Sequence, residues 1–321
     1  MKCVVTDGFW QVDPEGDAAA LGRAIGGEAA LYARTSPEEL YGRAEDAEML
    51  VVNKVVIGRE QLERLPRLRY VGVAATGYNV VDLEAARRRG VVVTNVPAYS
   101  TESVVQTVFA FILEHCQQVA AHAEAVRRGA WTACRRFSFW LSPLHELAGS
   151  TLGIVGLGRI GRRVAEVGHA FGMRVVAYTR TRREGLPDWL EQRGTLREVL
   201  AESDFVTLHC PLTEATRGLI GSEALSAMRP TAYLVNTSRG PVVDERALAE
   251  ALNAGRLAGA GVDVLCEEPP SADCPLITAR NCRVTPHYAW ATEEARRRLW
   301  QVVVENARAF ASGRPVNVVN G

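Results

Sequence analysis

A glycine-rich turn constrains the fold of this chain more than any other feature. Residues 153–161 read Gly-Ile-Val-Gly-Leu-Gly-Arg-Ile-Gly, so that Gly156, Gly158 and Gly161 fit the pattern G-x-G-x-x-G. An apolar run precedes the pattern, apolar residues at helical spacing follow it, and a second apolar run covers residues 173–178. Because the pattern joins a strand to a helix within one βαβ unit, it predicts a dinucleotide-binding turn.

Each position of this turn has a physical task. Gly156 permits the tight turn, Gly158 lets the backbone approach a pyrophosphate, and Gly161 lets the helix pack closely on the strand. The N–H groups that open the helix, at Arg159 and Ile160, are expected to bind the phosphates. An ordinary glycine-rich strand–helix turn is the alternative, and the βαβ context favours the nucleotide.

The end of the second strand indicates which dinucleotide is preferred. A site for NAD usually carries an acid about 20 residues after the glycines, where it binds the ribose 2′-hydroxyl. Residues 178–183 instead read Tyr-Thr-Arg-Thr-Arg-Arg, without an acid. Arginine binds a phosphate through charge-assisted hydrogen bonds. We therefore predict that NADP(H) is preferred and NAD(H) possible, with Thr179 and Arg180 at the ribose and Arg180 as the main 2′-phosphate ligand. A solvated basic loop is the alternative.

Length and composition exclude several classes of protein. The 321 residues suffice for two domains, and 37 basic residues balance 37 acidic ones, so nothing favours nucleic acid or a membrane surface. No apolar run approaches the roughly 18 residues of a membrane span. Asp7 interrupts the N-terminus too early for a signal peptide. Seven cysteines without a C-x-x-C pair indicate reduced thiols. We expect a cytoplasmic protein with no metal, no nucleic acid and no membrane partner.

Strand-like and helical segments alternate along the chain, which is typical of an α/β protein with parallel sheets. Strand-like runs of the first part cover residues 3–6, 28–32, 49–52, 70–73 and 91–94. Those of the second part cover residues 151–155, 173–178, 204–209, 232–236, 258–264 and 282–285. A helix is predicted over residues 293–311.

The middle of the chain joins these two parts. Residues 100–118 are predicted to form a long apolar helix. Residues 119–149 follow as an irregular stretch without a strand pattern, and they contain Trp131, Phe137 and Trp140. So many aromatic residues in such a stretch favour burial against another subunit.

Three polar residues follow strands of the second part, at the edge where parallel sheets bind ligands. They are Arg239, Glu268 and His287. An arginine can hold a carboxylate, a histidine can exchange a proton, and an adjacent carboxylate favours the protonated imidazole and fixes its tautomer. Together they suit the reduction of a 2-keto acid by a nicotinamide hydride. Taken singly, they could be a surface ion pair, a solvated acid and a structural histidine.

These motifs, in this order, resemble those of the D-isomer-specific 2-hydroxyacid dehydrogenase family over essentially the whole chain. The family's nucleotide motif corresponds to residues 152–161, and its arginine motif to 236–240, Asn-Thr-Ser-Arg-Gly. Its acidic motif corresponds to 261–269, and its histidine motif to 285–287, Thr-Pro-His. Within the family the chain is most similar to glycerate dehydrogenases, also called hydroxypyruvate or glyoxylate reductases, as in residues 286–292, Pro-His-Tyr-Ala-Trp-Ala-Thr.

The resemblance implies a role for each catalytic residue. Arg239 would bind the substrate carboxylate and polarise the keto oxygen, His287 would donate a proton to that oxygen, and Glu268 would pair with His287. Asp263 would hold the nicotinamide. The further cofactor-binding residues that it implies are His209, Cys210, Pro211, Thr237 and Ser238. The substrate-binding residues that it implies are Asn53, Ala75, Thr76, Gly77, Tyr99, Arg239 and Trp140.

The resemblance also implies the organisation of the chain. The fold class is α/β with two doubly wound parallel-sheet domains. Residues 1–98 plus 288–321 would form a flavodoxin-like substrate-binding domain, and residues 99–287 a Rossmann nucleotide-binding domain. Residues 119–149 would form the dimerisation segment of a homodimer, with Trp140 reaching the partner's substrate.

Two other functions stay open at this point. One is an NAD-linked phosphoglycerate or other D-2-hydroxyacid dehydrogenase. The other is a non-enzymatic dinucleotide-sensing protein, because corepressors use the same fold and can retain all three polar residues. The preferred hypothesis is the reduction of a small 2-keto acid, hydroxypyruvate or glyoxylate, to D-glycerate or glycolate.

Overall fold

Two parallel sheets organise the protein in a computed structural model that describes residues 1–321. The chain divides into two compact units, each with one sheet. Unit 1 comprises Met1–Ser100 and Trp290–Gly321, and unit 2 comprises Thr101–Ala289.

Unit 1 contains a five-stranded sheet. Its strands are β1 (Lys2–Val5), β2 (Glu28–Leu31), β3 (Met49–Val52), β4 (Tyr70–Val73) and β5 (Val92–Thr94). They are all parallel and follow the order β2-β1-β3-β4-β5. This is the doubly wound order of flavodoxin-like folds. Strands β3 and β4 are buried at every position, as expected for strands with helices on both faces.

Five helices cover the sheet of unit 1. They are α1 (Pro14–Ile25), α2 (Pro37–Ala44), α3 (Arg59–Arg64), α4 (Leu83–Arg88) and the C-terminal helix (Glu293–Ala311). The C-terminal helix packs Leu299, Trp300 and Val303 into the same buried cluster as Val5 of β1. This packing explains why the end of the chain returns to unit 1.

Unit 2 contains a seven-stranded parallel sheet. Its strands are β6 (Thr151–Val155), β7 (Arg174–Tyr178), β8 (Leu190–Gln192), β9 (Phe205–Leu208), β10 (Tyr233–Asn236), β11 (Gly259–Val262) and β12 (Cys282–Val284). Their order is β12-β11-β10-β9-β6-β7-β8. The strand order reverses between β6 and β9, because β7 and β8 lie on one side of β6 and β9 to β12 lie on the other. This is the switch point at which Rossmann folds bind ligands.

Seven helices and one short 3-10 helix complete unit 2. The helices are α5 (Thr101–Gln117), α6 (Val119–Arg127), α7 (Ala130–Ala133), α8 (Arg159–Ala170), α9 (Leu196–Glu202), α10 (Ser222–Ala227) and α11 (Glu245–Asn253), and the 3-10 helix covers Gly240–Val242. None of the protein's helices combines the length and the apolar composition that a membrane span requires.

The predicted fold class is confirmed, with two corrections to the elements. Residues 119–149 were expected to be irregular, whereas α6 and α7 occupy part of them. Neither helix has a buried residue, so neither shows the apolar stripe by which a packed helix is recognised. The edge strand β8 was missed, because only Leu190 of its three residues is buried and no apolar run marks it.

Candidate active site

The turn between β6 and α8 requires glycine for steric reasons. Gly156 has φ 102°, and a Cβ there would lie 2.8 Å from the backbone nitrogen of Cys210. A Cβ on Gly161 would lie 2.0 Å from the carbonyl oxygen of Gly156. The turn therefore packs against the loop that follows β9 on one side and against its own helix on the other.

Gly158 has a different environment from its two neighbours. A Cβ at Gly158 would meet no atom within 4 Å, so the space beside this backbone is open. Gly158 is the N-cap of α8 and provides no side-chain hydrogen bond to the helix. The N–H groups that begin α8, at Arg159, Ile160 and Gly161, therefore border an open space, which is the arrangement that binds a pyrophosphate.

The loop after β9 carries His209, Cys210 and Pro211 beside this turn. The backbone nitrogen of His209 donates to Val155 at 2.8 Å and so continues the pairing of β9 with β6. Burial lowers the pKa of His209 to about 3, so the ring is neutral at physiological pH. Its Nε2 and the Oγ1 of Thr237 are buried without hydrogen-bond partners. Two unsatisfied polar atoms at this edge fit a site that takes a polar ligand.

Thr179 and Arg180 follow β7. The hydroxyl of Thr179 donates to the carbonyl oxygen of Thr181 at 2.6 Å, which closes a tight loop. Arg180 is exposed and forms no salt bridge within 4.0 Å. Its guanidinium is thus not committed to an acid of the protein.

A capped turn after β10 positions Arg239. The Asn236 side chain accepts from the backbone nitrogen of Ser238 at 3.0 Å and from its hydroxyl at 2.9 Å. The same side chain donates to the carbonyl oxygen of Arg239 at 3.0 Å. Arg239 itself is exposed, and its guanidinium contacts the carbonyl oxygen of Ser238 at 2.7 Å. Asn236 therefore determines the shape of the turn and leaves the arginine at the surface of unit 2.

Gly240 ends the arginine motif, but it was assigned no role from the sequence. A Cβ at Gly240 would lie 2.0 Å from the carbonyl carbon of Leu265. Only glycine allows the turn that carries Arg239 to lie this close to the segment that leads to Glu268. The sequence signal was present, since Gly240 directly follows the arginine.

Glu268 and His287 form a hydrogen-bonded pair. Nδ1 of His287 lies 2.6 Å from Oε2 of Glu268, and Oε1 of Glu268 accepts from the backbone nitrogen of Leu265 at 3.0 Å. Because a carboxylate only accepts, Nδ1 of the imidazole donates to it and carries a hydrogen. Nε2 is then the ring atom that can exchange a proton with a ligand.

The backbone of His287 is held in an uncommon conformation. Its φ is 50°, in the left-handed region, which a residue other than glycine adopts only under constraint. Asp263 supplies that constraint from the end of β11: one carboxylate oxygen accepts from Thr285 at 2.6 Å and from the nitrogen of Tyr288 at 3.0 Å, and the other accepts from the nitrogen of Ala289 at 2.9 Å.

Asp263 is 1% exposed, and burial raises the pKa of its carboxyl group. The three hydrogen bonds and the nearby His287 act in the opposite direction and favour the carboxylate. Asp263 thus orients the loop that carries the histidine, a task that the sequence did not reveal. Its contact with nicotinamide stays a prediction.

In unit 1 the predicted substrate-binding residues lie at the carboxyl ends of β3, β4 and β5. The amide of Asn53 donates to the carbonyl oxygen of Ala74 at 2.6 Å. The hydroxyl of Thr76 donates to Val96 at 3.0 Å, and Asn95 donates to the carbonyl oxygen of Thr76 at 2.8 Å. The loop formed by Ala75, Thr76 and Gly77 is therefore fixed to the segment that contains Asn95 and Val96, although the loop stays near the surface.

Asp7 organises the loop that contains Asn53. Its carboxylate accepts from the backbone nitrogens of Asn53 at 2.8 Å and Val55 at 3.2 Å, and also from that of Lys54. Tyr99 is nearly buried, and its ring lies edge-on to that of Trp290 with centroids 6.3 Å apart. Both Asn53 and Tyr99 thus have structural contacts within unit 1.

Trp140 lies in an exposed aromatic segment of unit 2, residues 131–144. Its side chain is 66% exposed, and Phe137 is 95% exposed. Contacts of the segment include a hydrogen bond from Trp131 to Phe137 at 3.0 Å, one from Leu141 to His122 at 3.1 Å and a ring contact between His122 and Phe139. Within its own chain, Trp140 is therefore mostly exposed.

Comparison with known proteins places this geometry among nicotinamide-dependent enzymes. Residues 109–289 match the family described as D-isomer specific 2-hydroxyacid dehydrogenase, NAD binding domain. The chain is 42% identical to a hydroxypyruvate reductase of Blautia hydrogenotrophica, with 100% of both chains aligned. It is 41% identical to a glycerate dehydrogenase of Methylorubrum extorquens, over 88% of this chain and 89% of that one. The structure of an NADPH-dependent glyoxylate/hydroxypyruvate reductase from Sinorhizobium meliloti superposes with a TM-score of 0.84, at 32% identity, and covers 99% of this chain and 97% of the other.

Proposed function

The chain belongs to the D-isomer specific 2-hydroxyacid dehydrogenase family, and we propose that it reduces hydroxypyruvate or glyoxylate to D-glycerate or glycolate. The observation that carries the proposal is the 2.6 Å pair of Glu268 and His287, in the same unit as the open glycine turn. A nicotinamide dinucleotide at that turn and an imidazole that can release a proton are the two components of such a reduction.

The residues of unit 2 have separate roles in the reduction. The bound dinucleotide supplies the hydride. Arg239 binds the carboxylate of the keto acid and polarises the carbonyl oxygen, because a guanidinium offers two parallel donors. His287 donates its Nε2 proton to that oxygen. Glu268 stabilises the imidazolium before this proton transfer and keeps the ring in one orientation.

The substrate-binding role of unit 1 is part of the proposal. The contacts that hold Thr76 and its neighbours support a loop whose backbone N–H groups bind a carboxylate. Because the Asn53 amide is committed to Ala74, we assign Asn53 the task of positioning this loop. Tyr99 is proposed to border the substrate.

The reaction is tested by a steady-state screen of the purified protein. Hydroxypyruvate, glyoxylate, 3-phosphohydroxypyruvate and pyruvate are each offered with NADH and with NADPH, and oxidation is followed at 340 nm, the nicotinamide absorbance. Turnover of the first two acids supports the proposal. Preference for the phosphorylated acid with NADH indicates an NAD-linked phosphoglycerate dehydrogenase. Tight dinucleotide binding without turnover of any acid indicates a dinucleotide-sensing protein.

We also propose that NADPH is preferred over NADH, with Arg180 as the main 2′-phosphate ligand. The support is the absence of an acid at residues 178–183 and the uncommitted guanidinium of Arg180. Arg180→Ala should lower kcat/KM for NADPH by the equivalent of about 1.5–3 kcal/mol and leave NADH nearly unchanged, since one charge-assisted contact is lost. Arg182→Ala in the same loop is the matched control. Equal losses for both dinucleotides would refute the assignment.

The homodimer is proposed on the exposed aromatic segment. Trp140 and Phe137 expose large apolar side chains that a second copy of the chain would cover. We expect sedimentation of a dimer of 35.0 kDa chains. Trp140→Ala should raise KM for the keto acid by about three- to tenfold and leave dinucleotide affinity intact, because a lost aromatic contact weakens only the substrate site. A fully active monomer contradicts both expectations.

A further inference from the structure

The edge strand β8 is anchored by an ion-pair network. Arg174 of β7 contacts Glu191 of β8 at 3.0 Å and Glu202 of α9 at 2.9 Å. Arg193 contacts the same two acids at 2.6 Å and 2.5 Å. Hydrogen bonds from Arg174 and then Arg193 lower the pKa of Glu191 to about 2, so the network stays charged under assay conditions. Four charges shared in this way keep a three-residue strand in register with β7.

Gln192 lies between Glu191 and Arg193 and connects the two ends of the arginine-rich loop, residues 179–183. The Nε2 of Gln192 donates to the hydroxyl of Thr179 at 2.6 Å, and its Oε1 accepts from the backbone nitrogen of Arg183 at 2.9 Å. One amide group therefore ties the first residue of the loop to the last. Arg180 and Arg182 lie between these two ties, and both are exposed.

We infer that Gln192 is a positioning residue that adapts this loop to dinucleotides with a 2′-phosphate. The inference rests on the proposed preference for NADPH. A loop that is already ordered loses less conformational entropy when Arg180 binds a phosphate. A ligand without the 2′-phosphate does not use Arg180 as a phosphate ligand and gains nothing from the order of the loop. Gln192 therefore acts on the selectivity of the site and not on the reacting atoms.

The chemistry of the side chain supports this role. The amide of Gln192 donates to Thr179 through its nitrogen and accepts from Arg183 through its oxygen at the same time. A glutamate would keep the contact with Arg183, but it would bring a negative charge towards the phosphate and would have no hydrogen to donate to Thr179 when ionised. A glutamine is thus the residue that holds the loop without repelling its ligand.

Calorimetry with ligand fragments tests the inference without enzyme turnover. Adenosine 2′,5′-bisphosphate reports the 2′-phosphate site, and 5′-AMP is the internal control. Gln192→Met should weaken adenosine 2′,5′-bisphosphate about five- to tenfold and 5′-AMP by less than about twofold, since two hydrogen bonds that order the loop are lost. Gln192→Glu should weaken the bisphosphate further. In both variants the melting temperature verifies the fold.

The possible failures are distinguishable. Wild-type protein that binds 5′-AMP as tightly as the bisphosphate refutes the proposed preference for NADPH. Wild-type protein that prefers the bisphosphate, together with a Gln192→Met variant of unchanged preference, overturns the role of Gln192 alone. A double-mutant cycle adds a second criterion: if Gln192 acts through Thr179, then Thr179→Val in the Gln192→Met background should add less than about twofold.

Discussion

The first strand-to-helix connection of each unit lies at the start of a βαβ arrangement. The two connections differ in whether the protein's own acids neutralise the positive N-terminus of the helix that follows. In unit 1, residues 6–13 lead from β1 to α1, and Asp13 caps the helix by accepting from the nitrogen of Gly16 at 3.2 Å. The first turn of α1 also carries Glu15 and Asp17. The positive end of this helix dipole is therefore satisfied by the chain itself.

In unit 2, residues 156–158 alone lead from β6 to α8. The N-cap is Gly158, which provides no side chain, and the first turn of α8 contains no acid. The N–H groups and the dipole of α8 are thus left for an external anion. The comparison shows that a doubly wound sheet does not create a phosphate site by its topology. In unit 2 the predicted site lies at a helix that has neither a side-chain cap nor an acid in its first turn.

The largest expected effect separates cofactor binding from proton transfer within unit 2. His287→Ala should lower kcat by roughly 10²–10⁴, which is typical of a lost general acid. Dinucleotide affinity, measured by fluorescence titration, should stay unchanged, because the turn at Gly158 does not involve this residue. His145→Ala removes an exposed histidine of the same unit and is the control. A kcat that survives in His287→Ala means that another group supplies the proton.

A second substitution gives α8 of unit 2 the kind of aspartate N-cap that α1 of unit 1 has. Gly158→Asp places a carboxylate where Asp13 lies in α1, and we expect it to weaken dinucleotide binding by about 100-fold, because it caps the N–H groups and repels the phosphates. The fold should survive, since a Cβ at this position meets no atom within 4 Å. Gly158→Ala separates shape from charge, and Gly42→Ala in α2 is the remote control, where a Cβ is also unhindered. Unchanged affinity in Gly158→Asp would contradict the comparison.

The smallest effect concerns the acids that satisfy α1. Burial, and then the charge of Asp13, raise the pKa of Asp17 from 3.8 to about 6. When the pKa of an acid is higher in the folded state than in the unfolded state, the protein loses stability as pH rises from the unfolded-state pKa through the folded-state pKa. Asp17→Asn should therefore stabilise the protein above pH 6 by about 1 kcal/mol at most, after allowance for solvent screening. The gain should vanish below about pH 4. Melting curves at both pH values provide the measurement, and a gain that does not depend on pH would exclude this origin.

Apolar runs were sufficient to locate the buried elements. Strands β3, β4 and β6 and the C-terminal helix have the bounds that the sequence predicted. A strand buried on both faces must be apolar throughout, so its pattern does not depend on its neighbours. The surface elements α6 and β8 lack such a pattern, because α6 buries no residue and β8 is anchored by charges from β7 and α9.

The sequence by itself determined the glycine turn and the order of Arg239, Glu268 and His287, because these depend on residue type and on position along the chain. Only the tertiary structure decided how they are held. Three contacts join residues that are distant in sequence: the hydrogen bonds that Asp263 accepts from Tyr288 and Ala289, the approach of Gly240 to Leu265, and the hydrogen bond that Gln192 donates to Thr179. Such contacts arise when neighbouring strands bring their carboxyl ends to one edge of a sheet, and no local pattern encodes them.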